Sequence, residues 1–452
     1  MNNLWQGSWE ECLAVTSPTK PDYATKFCWV KIATPITAMA LGNLPPDICT
    51  KTDYDQLLAS WSTCVPRTCS EEEMTQFFQV VSQQLPQQIR QLGLQFCRTQ
   101  CRPPEPPKKD AGFWVMIVIL VVTGIVMIVA SLIDYLTDCP KEKYKRLRSS
   151  VGLRCLLAFS FYTNGSELLS VVKRPGQIEC LHCMRVFSMT WVMLGHTYMQ
   201  YAYGDNLLQM MQSNRYFLNM AFTNAFFSVD TFLFLGGFLL TFLFLKDIDR
   251  KPACLRSGGY WFLYYFHRIV RLSPPYWLFL GFTIVFFDFL TVGPREMNML
   301  ATMTGCRHTW WRNVLYINNL YDLENMCMGH AWYLALDMQI HIFAPLFLIP
   351  LALHFIGGLV SGVILIAIST ALNYWAYFKW ELPASFTGII VHATALDMNV
   401  LSVFQQYVYF ASWVRYTPYV IGGWTGYFIF YLRKKNRKVH MHWVSVVHLI
   451  YL

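Results

Sequence analysis

From Gly112 to Tyr135 the chain carries no charged side chain before Asp134. A helix needs about 20 apolar residues to cross the ~30 Å hydrocarbon core of a bilayer, and this run is long enough. Comparable runs recur at about 187–204, 226–245, 274–292, 331–353, 355–378 and 417–432. Only 14% of the residues are charged, against roughly 25% in soluble proteins. The expected fold is an all-α polytopic membrane protein. The formal charge of +9 does not indicate nucleic acid, because the basic residues cluster beside the apolar runs, as in loops retained in the cytosol.

Lys141, Lys143, Lys145, Arg146 and Arg148 follow the first run. The positive-inside rule makes that loop cytosolic and places residues 1–105 outside the cell or in a lumen. Cysteine usage points the same way. Seven of the 14 cysteines (Cys12, Cys28, Cys49, Cys64, Cys69, Cys97, Cys101) precede residue 102. That density suits disulfides in an oxidising compartment. Zinc is the competing reading, but no pair there has Cys-x-x-Cys spacing and no histidine precedes His182. An odd number leaves one thiol free, bonded to another chain, or matched to a cysteine upstream. Ser70-Glu-Glu-Glu73 opens a stretch to Leu94 with a helical start signature, so this domain is expected to be mainly helical. Met1 to Glu10 lacks the basic start and apolar run of a signal peptide.

The expected organisation is a Cys-rich domain at 1–105, a Pro-rich linker and first span at 106–136, a basic cytosolic segment at 137–180, and a multi-span domain at 181–452. Loops 136–184, 246–273 and 433–440 are then cytosolic, and 293–330 is external, where Cys306 and Cys327 can bridge. Val400 to Trp413 is apolar but short, as in a re-entrant or interfacial piece. Cys180-Leu-His182-Cys183 is a lone pair with weak metal character, and no metal site is expected. Cys139 is a candidate for palmitoylation. Asn164-Gly-Ser166 matches a glycosylation acceptor on the wrong side of the membrane.

Arg185 and His196 lie eleven residues apart in one apolar segment. Eleven helical steps return to within about 20° of the start and advance about 16 Å. Both side chains then share a face, Arg185 near the cytosolic surface and His196 near mid-membrane. A titratable group at that depth is a candidate functional site. A positive-inside anchor and a hydrogen-bonded core histidine are the plainer reading. Arg268 and Arg271, three apart, face one way on a helix and suit phosphate oxygens, although positive-inside signalling or lipid headgroup binding explains them too. Asp230 and Asp337 lie within apolar runs and need partners, as catalytic support or as glue between helices.

Taken in order, these motifs resemble the acyltransferase 3 family, and within it the nose resistant to fluoxetine proteins of invertebrates. The resembling segments are Arg185-x10-His196, Ser228-Val-Asp-Thr-Phe232, Arg268 and Arg271 with Pro274 and Tyr276, and Cys306 through Asn318-Asn319. Met326-Cys-Met-Gly329, Trp332-Tyr-Leu-Ala-Leu-Asp337 and Arg415-Tyr-Thr-Pro-Tyr-Val-Ile-Gly422 follow. Gly7-Ser-Trp-Glu-Glu-Cys12 and Cys64-Val-Pro-Arg-Thr-Cys69 resemble the subfamily's extracellular domain. The resemblance implies transfer of an acyl group from cytosolic acyl-CoA, as co-substrate, to a hydroxyl on a small-molecule or lipid acceptor. It implies His196 as base with Arg185, a donor site of Arg268, Arg271 and Tyr276, and support from Asp230, Trp332, Asp337, Asn318 and Asn319. Membrane lipid, and an extracellular ligand for the Cys-rich domain, are the implied partners, in the plasma membrane or an endomembrane. Departures are Gly236-Gly237 for the usual Ser-Gly, His267 for an arginine, His330-Ala331 for Trp and Ser, and His341 for an aromatic. With fewer spans than the family's ten or so, the chain is expected to be a shortened member, and non-catalytic lipid or small-molecule transport is the alternative.

Overall fold

The computed structural model describes residues 4–5, 7–17, 23–34, 49, 58–84, 87, 94–101, 109–138, 149–172, 177–200, 216–290, 306–320, 323–384, 388 and 399–435. The basic run Lys141–Arg148, Cys139, linker residues 102–108, Arg215 and the tail from Asn436, including Met441 to Leu452, lie outside them. The chain forms two compact units. One holds Met1–Glu105, Cys180–Tyr276 and Val292–Leu452, and the other holds Pro106–Glu179 and Trp277–Thr291.

The N-terminal residues build a four-stranded sheet ordered β1 (Leu4–Trp5), β3 (Ala59–Pro66), β2 (Thr25–Ala33), β4 (Gln95–Cys101). β1 runs parallel to β3, and β2 pairs antiparallel with both β3 and β4. A mainly helical domain was expected here, and the sheet corrects that reading. The reason is the sequence Thr-Lys-Phe-Cys-Trp-Val-Lys-Ile-Ala, whose aromatic and β-branched residues favour a strand. It is buried at nearly every position as the central strand, so it lacks the polar alternation that marks a half-exposed strand. The short helix α1 (Trp9–Leu13) and the helix α2 (Glu71–Gln84) accompany the sheet. Ser70 Oγ accepts from the Glu73 N–H at 3.2 Å, and the Glu73 carboxylate accepts from the Ser70 N–H at 2.7 Å. This reciprocal cap starts α2 where the motif placed it, and it holds the Glu73 carboxyl below its ordinary pKa, chiefly through the Ser70 backbone N–H. Met74 and Phe78 of α2 then pack into a cluster with Val30, Ile32 and Val65 of the sheet.

Three disulfides staple the domain: Cys12–Cys64, Cys28–Cys101 and Cys49–Cys97. Loops of 52, 73 and 48 residues are closed, each worth about 4 kcal/mol in the chain-entropy picture. Cys69, expected among the bridged cysteines, is instead a free thiol packed beside the Cys28–Phe78 cluster. It is the odd cysteine of the seven.

Lys31 is buried in β2, and its ammonium donates to Ser60 Oγ at 2.8 Å. Burial first, and the Arg98 charge second, lower its pKa to about 8. An unfolded lysine titrates near its ordinary 10.5. Below pH 8 both states are protonated, and the folded state carries the whole cost of the buried charge. Between pH 8 and 10.5 the folded state sheds its proton first, so stability rises with pH, by about 3 kcal/mol in all. Denaturant unfolding of this domain across pH 7.5–10 is expected to show that rise. Lys31→Met should flatten it, and an unchanged slope in the variant would refute the assignment.

Five helices among the described residues are long and apolar enough to cross a membrane: Ala111–Thr137, Ala225–Arg250, Gly258–Phe287, Gly329–Leu353 and Phe355–Lys379. We label the helices of this part α3 (Ala111–Thr137), α4 (Val151–Leu157), α5 (Phe161–Leu168), α6 (Cys180–Gln200), α7 (Ser228–Arg250) and α8 (Gly258–Leu290). They continue as α9 (Cys306–Val314), α10 (Trp332–Phe343), α11 (Pro345–Leu353), α12 (Phe355–Lys379) and α13 (Tyr416–Lys434). The expected spans near 187–204 and 417–432 fall on α6 and α13, which are helical but less apolar than the five.

The largest difference is in α8. Run length and charge predict a span from Pro274 and a loop over 246–273. The helix instead starts at Gly258 and runs 33 residues through Pro274 and Pro275. Prolines remove the N–H groups that would bond the carbonyls of Val270 and Arg271, a loss that packed membrane helices tolerate. At about 50 Å the helix exceeds the hydrocarbon thickness, and Tyr260, Trp261, Tyr264 and Tyr265 near its start suit the interface.

α7 and α13 pack at backbone distance. A Cβ at Gly422 would lie 2.0 Å from the Phe234 carbonyl oxygen, and one at Gly237 2.0 Å from that of Tyr419. Gly426 repeats the contact one turn on, 2.5 Å from the Phe238 oxygen, so Gly422-x3-Gly426 is a small-residue seam. Gly236, where the family usually has serine, would place its Cβ 3.9 Å from the Tyr419 ring and has room for one. Leu233, Leu336, Ile340, Phe347, Leu348 and Val420 form the core between these helices and α10–α11. From 399 to 414 the chain is a six-residue helix, a π turn at Gln405–Tyr409 and a 3-10 turn at Ser412–Val414.

Candidate functional site

α6 is held by one face. Gly195 admits Ala225 so closely that a Cβ there would come within 2.3 Å of the Ala225 Cβ. Trp191 Nε1 donates to the Ala221 carbonyl at 2.6 Å. Leu181 and Ser188 are buried on the same helix. This packing leaves His196 exposed and Arg185 half-buried. His196 lies near enough to His330 for the two imidazole charges to interact. The sequence reading noted His330 only as a departure from the family pattern, yet the fold brings it to the proposed base.

The two intramembrane carboxylates have partners. Arg268 of α8 pairs with Asp337 of α10. Arg415, just before α13, donates to Asp230 of α7 at 2.6 Å, donates through Nε to the Tyr409 carbonyl at 3.2 Å, and stacks 4.7 Å over the Tyr409 ring. Tyr333, one helical turn before Asp337, feels the charges of Asp337, Arg268 and Asp230 together. Tyr316 and Tyr419 also lie within electrostatic reach of the Arg268–Asp337 pair. The result is a group of charged and phenolic side chains drawn together from α7, α8, α10 and α13 and the residues that lead into them. His341 lies one turn beyond Asp337, stacked on Tyr264 at 4.3 Å, with the Tyr264 hydroxyl donating to its carbonyl at 3.2 Å.

The remaining predicted residues separate into scaffold and site. Trp332 is buried against Phe410 and Tyr409, both at 4.8 Å. Asn319 is buried and donates to the Phe410 carbonyl at 2.8 Å, while Gln339 donates to Asn319 Oδ1 and to the Tyr316 carbonyl, both at 2.8 Å. Ser412 closes this set with a hydrogen bond to Gln339. Asn318 is buried beside it, and among the described residues neither end of its amide finds a partner. Tyr276, expected at the donor site, is buried, and its hydroxyl accepts from Asn313 at 3.0 Å. It therefore supports the segment around α9, whose Cys306–Cys327 disulfide forms as expected and whose Cys327 carbonyl accepts from the same Asn313 at 2.9 Å. Arg271 is exposed on α8, one turn past Arg268. Arg415, Gln339 and Ser412 were given no role in the sequence reading. Arg415 had a signal, since it opens a motif already singled out. Gln339 and Ser412 are ordinary residues whose importance arises only from their meeting. Among the described residues no cluster of three metal-ligating side chains occurs.

Comparison with known proteins follows this division of the chain. A family model described as "Acyltransferase domain" matches residues 178–452. A second, "Nose resistant-to-fluoxetine protein, N-terminal domain", matches residues 1–78. The chain is 28% identical to "Nose resistant to fluoxetine protein 6" of Caenorhabditis elegans over 93% of its own length and 56% of that protein. It is 27% identical to "Regulator of hypoxia-inducible factor 1" of the same organism over 40% of this chain and 36% of the relative. It is 27% identical to a "Putative O-acetyltransferase" of Staphylococcus aureus over 32% of this chain and 24% of the relative. The chain thus spans about half, or less, of the length of these relatives. No solved structure matches. By the model covering most of its length, this chain belongs to the acyltransferase 3 family of membrane proteins, and it carries the N-terminal domain of the nose resistant to fluoxetine proteins.

Proposed function

We propose that this protein transfers an acyl group from a cytosolic acyl-CoA to a hydroxyl acceptor at or across the membrane. The observation that carries the reading is the exposed His196 on a helix fixed at the adjacent Gly195, within this family's domain. The imidazole accepts the acceptor's hydroxyl proton as that oxygen attacks the thioester carbonyl. The C–O bond forms, the C–S bond breaks, and the protonated imidazole returns its proton to the departing thiolate. The names of the staphylococcal relatives favour a short acyl group, so acetyl-CoA is the first donor to test.

Asp337 neutralises Arg268, which makes Arg268 a positioning residue. Arg271, exposed one turn away, is the stronger ligand for a donor phosphate, with Arg185 lower on the path to His196. Arg271→Gln is expected to raise KM for acetyl-CoA about tenfold or more with little change in kcat, the loss of one charge-assisted contact. Steady-state kinetics of the full chain in bilayers measures this. An unchanged KM would remove Arg271 from the donor site.

Lipid or small-molecule transport on the same scaffold is the second reading. It is favoured by the compensation of Arg268 and Arg415 by carboxylates. Uptake that persists in His196→Ala, without thiol release, would select it.

A further inference from the structure

Between the first span and α6, the chain forms two short helices with more apolar surface than a soluble loop presents. Ser150 and Ser160 cap α4 and α5, their hydroxyls accepting from the Leu153 and Thr163 N–H groups, both at 3.4 Å. The pair is clamped to the end of α3. Ser160 donates to the buried carboxylate of Asp134 at 2.6 Å, and the Thr163 hydroxyl donates to the same oxygen. Ser131 Oγ accepts from the Phe161 N–H at 2.8 Å, the Tyr162 hydroxyl donates to Asp138 at 3.3 Å, and the rings of Tyr135 and Tyr162 meet edge to face at 5.6 Å. Asp134 lies three residues and Ser131 six residues inside the helix end at Thr137, about 5 and 9 Å along the axis. The clamp therefore sets the segment at the depth where a span passes from hydrocarbon into headgroups.

At that depth Ser160 and Thr163 face α3, and large apolar side chains stand exposed beside polar ones such as Asn164 and Glu167. Phe161, Leu168 (85% exposed), Leu169, Val171 (94% exposed) and Val172 are its outward residues. Leu132, Tyr135 and Leu136 on the end of α3 are exposed as well, so the apolar surface continues from a helix that faces lipid. In sequence the segment lies between the basic run ending at Arg148 and the pair Lys173-Arg174, charges that attract anionic headgroups. We propose that residues 151–172 form a membrane-surface anchor. Their apolar face lies in the headgroup layer of the bilayer that α3 crosses, with phospholipid as the occupant. Asp134 is the positioning residue, because its carboxylate fixes both the depth and the orientation of the segment.

The test places an environment-sensitive fluorescent amino acid at Val171 of the full chain. The protein is reconstituted in phosphatidylcholine vesicles with a minor share of phosphatidylserine. Quenching by lipids spin-labelled near the headgroup, clearly stronger than by lipids labelled deep in the acyl chain, is the expected result, with little quenching by aqueous iodide. Leu168→Asp combined with Leu169→Asp should reverse the pattern while the N-terminal domain stays folded. Iodide quenching in the unsubstituted segment, protection from both quenchers (cover by protein), or lipid quenching that survives the double substitution would each overturn the proposal.

Discussion

Replacing His196 by alanine should lower acyl-transfer turnover about 10²- to 10⁴-fold, the usual contribution of a positioned general base. The fold should survive, because His196 is exposed and the packing of α6 rests on neighbouring residues. Gly195 is the control. A Cβ there meets Ala225 at 2.3 Å, so Gly195→Ala should disturb the helix as well as activity, whereas His196→Ala should affect activity alone. Helicity and yield, measured beside thiol release from acetyl-CoA, separate the two effects. Turnover near the unsubstituted rate in His196→Ala would withdraw the assignment of the base.

The largest effect on folding is expected at the seam between α7 and α13. Gly422→Val places side-chain atoms where the Phe234 carbonyl oxygen already lies 2.0 Å from a Cβ. Overpacking a side-chain core costs roughly 1–3 kcal/mol because side chains can adjust. Here the obstacle is helix backbone, and separating the helices would open the core around Leu233 and Val420. It would also draw Arg415 from Asp230, leaving a carboxylate in lipid without its partner. Loss of folded protein from the membrane fraction is the expected outcome. Gly236→Ser, at the position with room for a side chain, should express normally. Equal yields of Gly422→Val and Gly236→Ser would show that the seam is not needed.

That contrast bears on what could be read from the chain. Gly236-Gly237 stood out as a departure from Ser-Gly, but only Gly237 faces backbone and the altered position has space. Apolar run lengths located the five long apolar helices among the seven expected spans, since the bilayer fixes how long an uncharged helix must be. They misplaced the start of α8, because Ser273-Pro-Pro275 reads as a boundary in a soluble protein, while neighbouring helices let it pass in a membrane. The Ser70–Glu73 cap was legible because it is local. The sheet was not, since its register depends on strands from Leu4 to Cys101 meeting in space. The site divided in the same way. Asp230 and Asp337 declared a need for partners, and Arg268 and Arg415 answered it from helices far off in sequence. The meeting of Asn319, Gln339 and Ser412 had no sequence signal, nor did the approach of His330 to His196. Tyr276 shared a motif with the arginines yet supports α9, because α8 carries it past them to Asn313.

The proposed reaction moves an acyl group from a thioester to a hydroxyl. Its most direct test is a stoichiometry. The full chain, reconstituted in bilayers, is given radiolabelled acetyl-CoA and a hydroxyl-bearing membrane extract. Free thiol and labelled ester are then counted together. The two are expected to appear in equal amounts, and both to vanish in His196→Ala. Thiol release no faster than in protein-free bilayers, or ester formation undiminished in His196→Ala, would contradict it.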